Sequence, residues 1–164
     1  MYLLLFLIAS VDFNNNLTEV KMETLNITDV LGGEKVIRRK IETRMDLIEL
    51  GNIGLPKDAL ISLSNYLSLP VEQMAQIIPQ TGRSLHRLSL QKHFNRVVSE
   101  QILKIAEVVT RGYQVFEQKD NFISWINQSN KAFGGRTPLS LLSSRFGMEM
   151  VLDELGRIDY GIIS

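Results

Sequence analysis

The sequence predicts an all-α protein, and three features of its 164 residues support this fold class. Beyond Met22, apolar residues recur every three or four positions through most of the chain, which is the spacing of amphipathic helices. Glycine and proline interrupt that spacing at short intervals, as they do where helices end and begin. Serine or threonine precedes several of the apolar segments, where a side-chain oxygen can cap the first turn of a helix.

The first half of the chain predicts a set of short helices. Residues 34–50 follow the Gly32–Gly33 break, with a helical spacing that is expected to be interrupted near Thr43. Residues 51–56, GNIGLP, combine a helix stop with a helix start. Three short helices separated by two turns are expected next, over residues 57–67, 71–78 and 84–90.

The second half predicts longer helices. Ser99 is expected to cap a helix that continues to about Phe116 with one apolar stripe. Thr137–Pro138 is a strong helix start, because threonine caps well and proline fits the first helical position. Two further helices are expected over residues 119–128 and 147–155. The pattern indicates a compact set of short helices followed by a second helical unit that begins near Ser99.

The composition argues against several classes of function. The 18 basic and 18 acidic residues give a net charge of zero, so a globally basic nucleic-acid-binding protein is not indicated, although a local basic patch remains compatible. There is no Cys, and the two histidines, His86 and His93, have no carboxylate between Gln73 and Ser99 to complete a metal site. We find no Ser-His-Asp arrangement, and we therefore expect no enzymatic activity, no cofactor and no metal ion.

The first ten residues, MYLLLFLIAS, allow three interpretations. The apolar run is too short to span a bilayer as a helix, and no Lys or Arg precedes Lys21, as a signal peptide would require. The run is a buried strand or short helix, an unstructured or misassigned extension ahead of a start at Met22, or a targeting segment. The first two interpretations are favoured, so we expect a cytoplasmic protein without a membrane partner.

Residues 57–90 have the helix-turn-helix pattern of DNA-binding proteins. The third helix and the residues after it, TGRSLHRLSLQKHFNR, are basic and contain no acid, which produces a local positive potential. Arg83 and Ser84 would lie at a helix N-terminus, where a phosphate can bind, and Arg87 could reach a guanine edge. The alternative is a solvated basic face of a helical bundle. The predicted DNA-binding residues are Arg83, Ser84, His86, Arg87 and Lys92.

Two other groups of residues are better explained by packing than by ligand binding. The Gly134–Gly135 loop, with Arg136, could hold an anion, but it lacks the lysine and the spacing of a nucleotide-binding loop. A tight turn is the preferred interpretation. Trp125 shares a helical spacing with neighbouring phenylalanines, which is more typical of a core than of a ligand cage.

Five segments of the chain carry a resemblance to a known family. They are GLPKDAL (54–60), SEQILKIAEVV (99–109), VFEQKDNFISWI (115–126), NKAFGGRTPLSLL (130–142) and DELGRIDYGI (153–162). The most specific parts are GGRTPLSLL and LGRIDYG, and the order of the segments and their spacing to the C-terminus also match. From about residue 46 to residue 164, the chain resembles the Xre/MbcA/ParS-type antitoxins, the partners of RES-domain toxins. Glu117 stands where a small residue is common in that family.

The resemblance implies a two-part protein and two partners. An Xre-like helix-turn-helix region would occupy residues 34–98 and a small helical toxin-binding domain residues 99–164, after a poorly matched N-terminal extension over 1–33. RES toxins resemble ADP-ribosyltransferases that use NAD. The resemblance implies that the chain blocks the NAD site of such a toxin, binds operator DNA to repress its own operon, and forms a homodimer within a hetero-oligomer.

The C-terminal residues are the expected toxin contact. We expect residues 156–164 to project from the last helix and enter the active-site cleft of the toxin. Gly161 would let the chain turn, Tyr160 would be an anchor with a polar tip, and the terminal carboxylate at Ser164 could mimic a phosphate. The alternative is that this segment folds back as a short strand or a lid on the core. The predicted toxin-binding residues are Arg157, Asp159, Tyr160, Gly161, Ile162, Ile163 and Ser164.

Two other functions remain in competition with the antitoxin interpretation. One is a stand-alone helix-turn-helix transcriptional regulator whose C-terminal unit dimerises or senses a ligand. The other, weaker interpretation is a purely structural helical adaptor.

Overall fold

The computed structural model describes residues 25–87 and 92–161. These residues form helices and no strand, so the all-α prediction is confirmed. The interpretations of MYLLLFLIAS concern residues outside the described ranges. The α-helices are α1 (Ile27–Val30), α2 (Glu34–Ile37), α3 (Arg44–Ile53), α4 (Lys57–Tyr66), α5 (Gly82–Arg87), α6 (Arg96–Phe116), α7 (Lys119–Asn127), α8 (Pro138–Leu141) and α9 (Arg145–Asp159). Two 3₁₀ helices cover Val71–Gln76 and Lys131–Phe133.

The longest described helix, α6, is the centre of the fold. It packs against α9, α3, α1, α7 and α4. Its inward positions, among them Ile102, Ile105 and Val109, are fully buried in one core that continues into the short helices on one side and into α7 and α9 on the other. The predicted division at residues 98 and 99 falls inside the first turn of α6. The domain boundaries stay a prediction.

The structure has the predicted interruption near Thr43 and the predicted helix start at Thr137–Pro138, and a threonine caps the helix at both places. The Thr43 hydroxyl accepts a hydrogen bond from the Asp46 N–H at 3.3 Å, and the Asp46 carboxylate accepts from the Thr43 N–H at 2.7 Å, which forms a capping box. Hydrogen bonds from the Thr43 side chain and from the backbone lower the pKa of Asp46. Thr137 caps α8, with Pro138 as its first residue.

The predicted start of α6 at Ser99 is wrong. The helix begins at Arg96, because the Asn95 side chain accepts a hydrogen bond from the Val98 N–H at 3.0 Å. Ser99 is fully buried, where its hydroxyl accepts from the Leu55 N–H at 2.9 Å. Ser99 therefore ties α6 to the connection between α3 and α4.

A chain of aromatic contacts joins the end of α6 to α7, as packing predicts for these residues. Phe122 is fully buried, and its ring lies 5.3 Å from that of Tyr113 between centroids. Trp125 continues the chain, with centroid distances of 5.4 Å to Phe116 and 6.4 Å to Phe133. This cluster holds α7 and the 3₁₀ helix Lys131–Phe133 in place beside α9.

Candidate functional site

The last helix, α9, is longer than the sequence predicts. The Ser144 hydroxyl caps it by accepting from the Gly147 N–H at 3.0 Å, and the helix continues through Gly156 to Asp159. Gly156 was expected to end the helix, but the Tyr160 N–H donates to the Gly156 carbonyl at 3.2 Å and completes the last turn. Residues 156–159 are therefore helical, and the segment that leaves the helix begins at Tyr160.

The two charged residues predicted for toxin contact have partners within the chain. Asp159 accepts a hydrogen bond from the guanidinium of Arg111 on α6, at 2.7 Å between Oδ2 and Nη2. Arg157 lies one turn after Glu154, at 3.4 Å between Nη1 and Oε2. The Arg157 and Asp159 side chains are partly exposed to solvent, so both remain accessible from one side, whereas Glu154 is buried. The pairs fix the orientation of the two side chains at the end of α9.

Tyr160 and Gly161 form the described tip of the chain. Tyr160 is 81 % exposed, so it does not fold back onto the core as the alternative interpretation required. Gly161 has a φ of +71° and donates its N–H to the Ile158 carbonyl at 2.9 Å, which turns the chain away from the helix axis. Ile162, Ile163 and Ser164 lie outside the described residues.

The outward face of α9 adds residues that the sequence reasoning missed. Phe146 and Met150 are exposed, at 78 % and 46 %. With Asp153 and Arg157 they follow an i, i+4, i+7, i+11 spacing, which places all four on one stripe. A shallow cavity of about 440 Å³ lies between this stripe and the 3₁₀ helix, with Lys131 on its other wall. The sequence spacing of these four residues could have revealed this stripe. It lies on the side of α9 away from the buried stripe.

The predicted DNA-binding residues lie on α5 and just after it. The helix starts at Gly82, two residues before the predicted start, and Thr81 caps it by accepting from the Ser84 N–H at 3.2 Å. Arg83 and Arg87 are exposed and four residues apart on α5, and Lys92 is exposed beyond it. The helix before the turn, Val71–Gln76, is a 3₁₀ helix rather than the expected α-helix. The His86 side chain lies outside what the structure describes.

Two classes of site have no candidate in the described ranges. No group of three or more His, Cys, Asp or Glu side chains is placed to hold a metal ion. None of the helices over 25–87 and 92–161 is long and apolar enough to cross a membrane.

Comparisons with known proteins identify the C-terminal part of the chain. Residues 111–161, from the last turns of α6 to Gly161, match the family of antitoxin Xre/MbcA/ParS C-terminal toxin-binding domains. The chain is similar to an antitoxin Xre from Yersinia enterocolitica, with 28% identity over 120 residues that cover 72% of this chain and 81% of the relative. It is also similar to an antitoxin Xre from Photorhabdus laumondii, with 27% identity over 115 residues that cover 69% of this chain and 78% of that protein.

The matched segment contains α7, α8 and α9 together with Tyr160 and Gly161. It therefore includes the GGRTPLSLL and LGRIDYG motifs on which the resemblance depends most. The residue range of the family match and the two relatives agree with the family inferred from those motifs. The chain is therefore similar to the Xre/MbcA/ParS-type antitoxins, and residues 111–161 are the part that matches their C-terminal toxin-binding domain.

Proposed function

We propose that this antitoxin neutralises a RES-domain toxin, an NAD-using relative of the ADP-ribosyltransferases, by covering its NAD site. The contact is the end of α9 and the residues after it, from Arg157 to Ser164. The observation that carries the proposal is Tyr160, which is 81 % exposed at the end of the helix in the matched domain. A large amphipathic side chain in this position is typical of an interface anchor.

The geometry favours a rigid contact more than a flexible plug. Arg157 and Asp159 are held on α9 by helical backbone hydrogen bonds and by their ion pairs, so little conformational entropy is lost when they bind. In the NAD site of the toxin, they would pair with the groups that hold the phosphates and the ribose of NAD. Burial of Tyr160 and of the apolar residues after it would contribute several kcal/mol before ordering costs.

Deletion of the tip tests this proposal directly. The chain and a RES toxin are co-produced, and NAD consumption is compared for the full-length antitoxin and for a variant that ends at Asp159. We expect the variant to fold but to lose most of its inhibition, because the Tyr160 anchor is gone. Ile53→Ser, on the far helix α3, is the control for a lost exposed apolar side chain. An unchanged toxin affinity after the deletion rules out the tip as the contact.

We also propose that the antitoxin represses its own operon as a homodimer. Arg83, Arg87 and Lys92 are exposed on or just after the third helix of the helix-turn-helix region, where operator phosphates and base edges would be contacted. Ser84 and His86 belong to the same segment. Such a protein acts in the cytoplasm, where its toxin and its operator are found.

A mobility-shift titration with the upstream promoter fragment tests the operator contact. We expect Arg83→Ala and Arg87→Ala each to weaken binding, and the salt dependence of binding to fall as phosphate contacts are lost. The competing function, a stand-alone regulator, predicts the same DNA result without any toxin binding. A chain without affinity for any DNA fragment at low salt excludes repression.

A further inference from the structure

The exposed large apolar side chains of the matched segment are gathered on one helix. Within residues 111–161, all of which the structure describes, they are Phe146, Met150 and Tyr160. Phe146 lies in the first turn of α9, Met150 one turn later, and Tyr160 directly follows the helix. By contrast, Val151 and Leu155 of the same helix are fully buried. Exposed apolar side chains gathered in one place indicate a surface that binds a protein.

The three side chains share one side of α9 with two charged residues. Met150, Asp153, Arg157 and Tyr160 follow Phe146 at i+4, i+7, i+11 and i+14, so all five lie within about 40° of one line along the helix. At 1.5 Å per residue this line is roughly 21 Å long. These five residues are called the outer stripe below.

The cavity of about 440 Å³ opens beside the middle of the outer stripe. Met150 and Asp153 line one of its walls, and Lys131 and the buried Phe133 line the other. Neither the Asp153 carboxylate nor the Lys131 ammonium group forms an ion pair with another described residue. Both charges can therefore pair with a partner protein, and the apolar walls can hold one of its side chains.

The end of α9 is by itself small for a specific protein contact. Residues 157–164 are eight residues, whereas a stable interface uses about 20–30 residues of each partner. An anchor such as Tyr160 also needs surrounding contacts that exclude water. A toxin bound at Tyr160 therefore has to cover more of the chain, and the outer stripe is the surface that continues from this residue.

We propose that the toxin covers the outer stripe along the whole of α9, with Phe146 as a second anchor roughly 21 Å from Tyr160. The stripe lies entirely within residues 111–161, the segment that matches toxin-binding domains, and this identifies the toxin as its partner. The inference rests on the toxin contact of the proposed function and extends it. Contacts along the stripe hold the toxin, while the end of the chain covers its NAD site.

The stripe also defines the chemistry of the toxin surface that binds it. That surface is apolar opposite Phe146 and Met150, and it inserts an apolar side chain into the cavity. It carries a basic group for Asp153 and an acidic group for Lys131, because both are exposed and available for pairing.

A binding titration with purified RES toxin tests the second anchor. We expect Phe146→Ser to raise the dissociation constant at least tenfold, while a saturating amount of this variant still stops NAD consumption. The matched control is Ile53→Ser, which removes a 60 % exposed apolar side chain from α3, outside the matched segment, and should leave the constant unchanged. A Phe146→Ser variant that binds the toxin as tightly as this control overturns the proposal.

Thiol protection gives a second test that does not depend on a loss of affinity. The chain contains no Cys, so Phe146→Cys and Ile53→Cys each introduce a single thiol at an exposed position. We expect the toxin to slow the reaction of residue 146 with N-ethylmaleimide at least tenfold, measured as the mass of the antitoxin chain, and to leave residue 53 unaffected. A complex in which residue 146 reacts at its free rate overturns the proposal. Slow reaction of residue 146 without toxin, at high chain concentration, assigns the stripe to a second copy and overturns it as well.

The stripe and the blocking of the NAD site can fail separately, because thiol protection measures binding and not NAD. If the toxin protects residue 146 while NAD consumption continues, only the proposed blocking of the NAD site is rejected. If NAD consumption stops while residue 146 stays reactive, only the stripe is rejected. A Phe146→Cys chain that ends at Asp159 separates the two parts further, since we expect it to be protected by the toxin without inhibiting it.

Discussion

Tyr113 shows how one side chain connects three elements of the fold. Its hydroxyl donates to the Tyr66 carbonyl at the end of α4, at 2.9 Å, and its ring packs against Phe122 of α7. Burial is the main cause that raises the pKa of Tyr113 to about 12, with smaller contributions from Tyr66 and Asp120. The protonated phenol is therefore the form that the folded state prefers.

The raised pKa of Tyr113 predicts a loss of stability at alkaline pH. The unfolded chain releases this proton near the ordinary tyrosine pKa of 10.0, whereas the folded chain retains it until about 12. The stabilisation is fully present below pH 10 and is lost as the pH rises through 12. Urea unfolding at pH 9, 10 and 11 should show a steeper decline for the wild type than for Tyr113→Phe. Parallel declines of the wild type and the variant would show that folding does not raise the pKa of Tyr113.

Gly112 is required by the close contact between α6 and α7. A Cβ atom at this position would overlap the ring of Phe122, which is fully buried and cannot move aside. We expect Gly112→Ala to destabilise the protein by about 1–3 kcal/mol through overpacking. The matched control is Gly156→Ala in α9, where a Cβ meets nothing within 4 Å and the change should stabilise the helix slightly. Thermal unfolding distinguishes them, and a neutral Gly112→Ala would contradict the packing argument.

At the scale of the helix, α6 shows why a cap can be assigned to the wrong residue. Asn95 and Ser99 are both good capping residues, and four positions separate them, so the sequence allows either start. The choice depends on tertiary structure, since Ser99 points into the core and accepts from the Leu55 N–H. No local pattern contains the information that residue 55 lies beside residue 99.

The buried hydroxyl of Ser99 predicts a larger effect than a surface serine would have. Ser99→Ala leaves the Leu55 N–H without its acceptor, which should cost about 1–3 kcal/mol. Ser143→Ala, which removes an exposed hydroxyl bound to the Ser140 carbonyl, is the control and should change stability by less than about 0.5 kcal/mol. Urea denaturation of the two variants provides the comparison. If the Ser99→Ala variant is as stable as its control, the Ser99 hydroxyl does not stabilise the fold.

Helix boundaries are predictable from the sequence where local residues determine them. The Thr43 and Thr137–Pro138 starts depend on residues close in sequence, so local chemistry determines them. The end of α9 depends on packing instead, because Gly156 continues a helix whose inner side is already buried against α6. The 3₁₀ geometry of Val71–Gln76 has no sequence signature, since an α-helix uses the same apolar spacing.

At the scale of the whole molecule, the sequence predicted the candidate site in part. Arg157, Asp159, Tyr160 and Gly161 were expected to contact the toxin because of the family resemblance and the apolar C-terminal segment, and the structure places them together at the end of α9. Their contact with a toxin stays a prediction. The Arg111 partner of Asp159 was not predicted, because 48 residues separate the two in sequence. The groove between α3, α6 and α9 was also missed, since it requires three helices that are distant along the chain.

The arrangement of the molecule predicts that toxin neutralisation and operator binding can be removed separately. Tyr160 follows the last turn of α9, which packs against α6 and α8, whereas Arg83 and Arg87 lie on α5, which packs against the 3₁₀ helix Val71–Gln76. Because all three side chains are exposed, their removal should not change the unfolding temperature. Tyr160→Ala should weaken toxin binding at least tenfold with operator binding intact, and Arg87→Ala should do the reverse. Toxin titration and mobility shift on the same two preparations measure both effects, and a variant that loses both activities at unchanged stability would contradict separate surfaces.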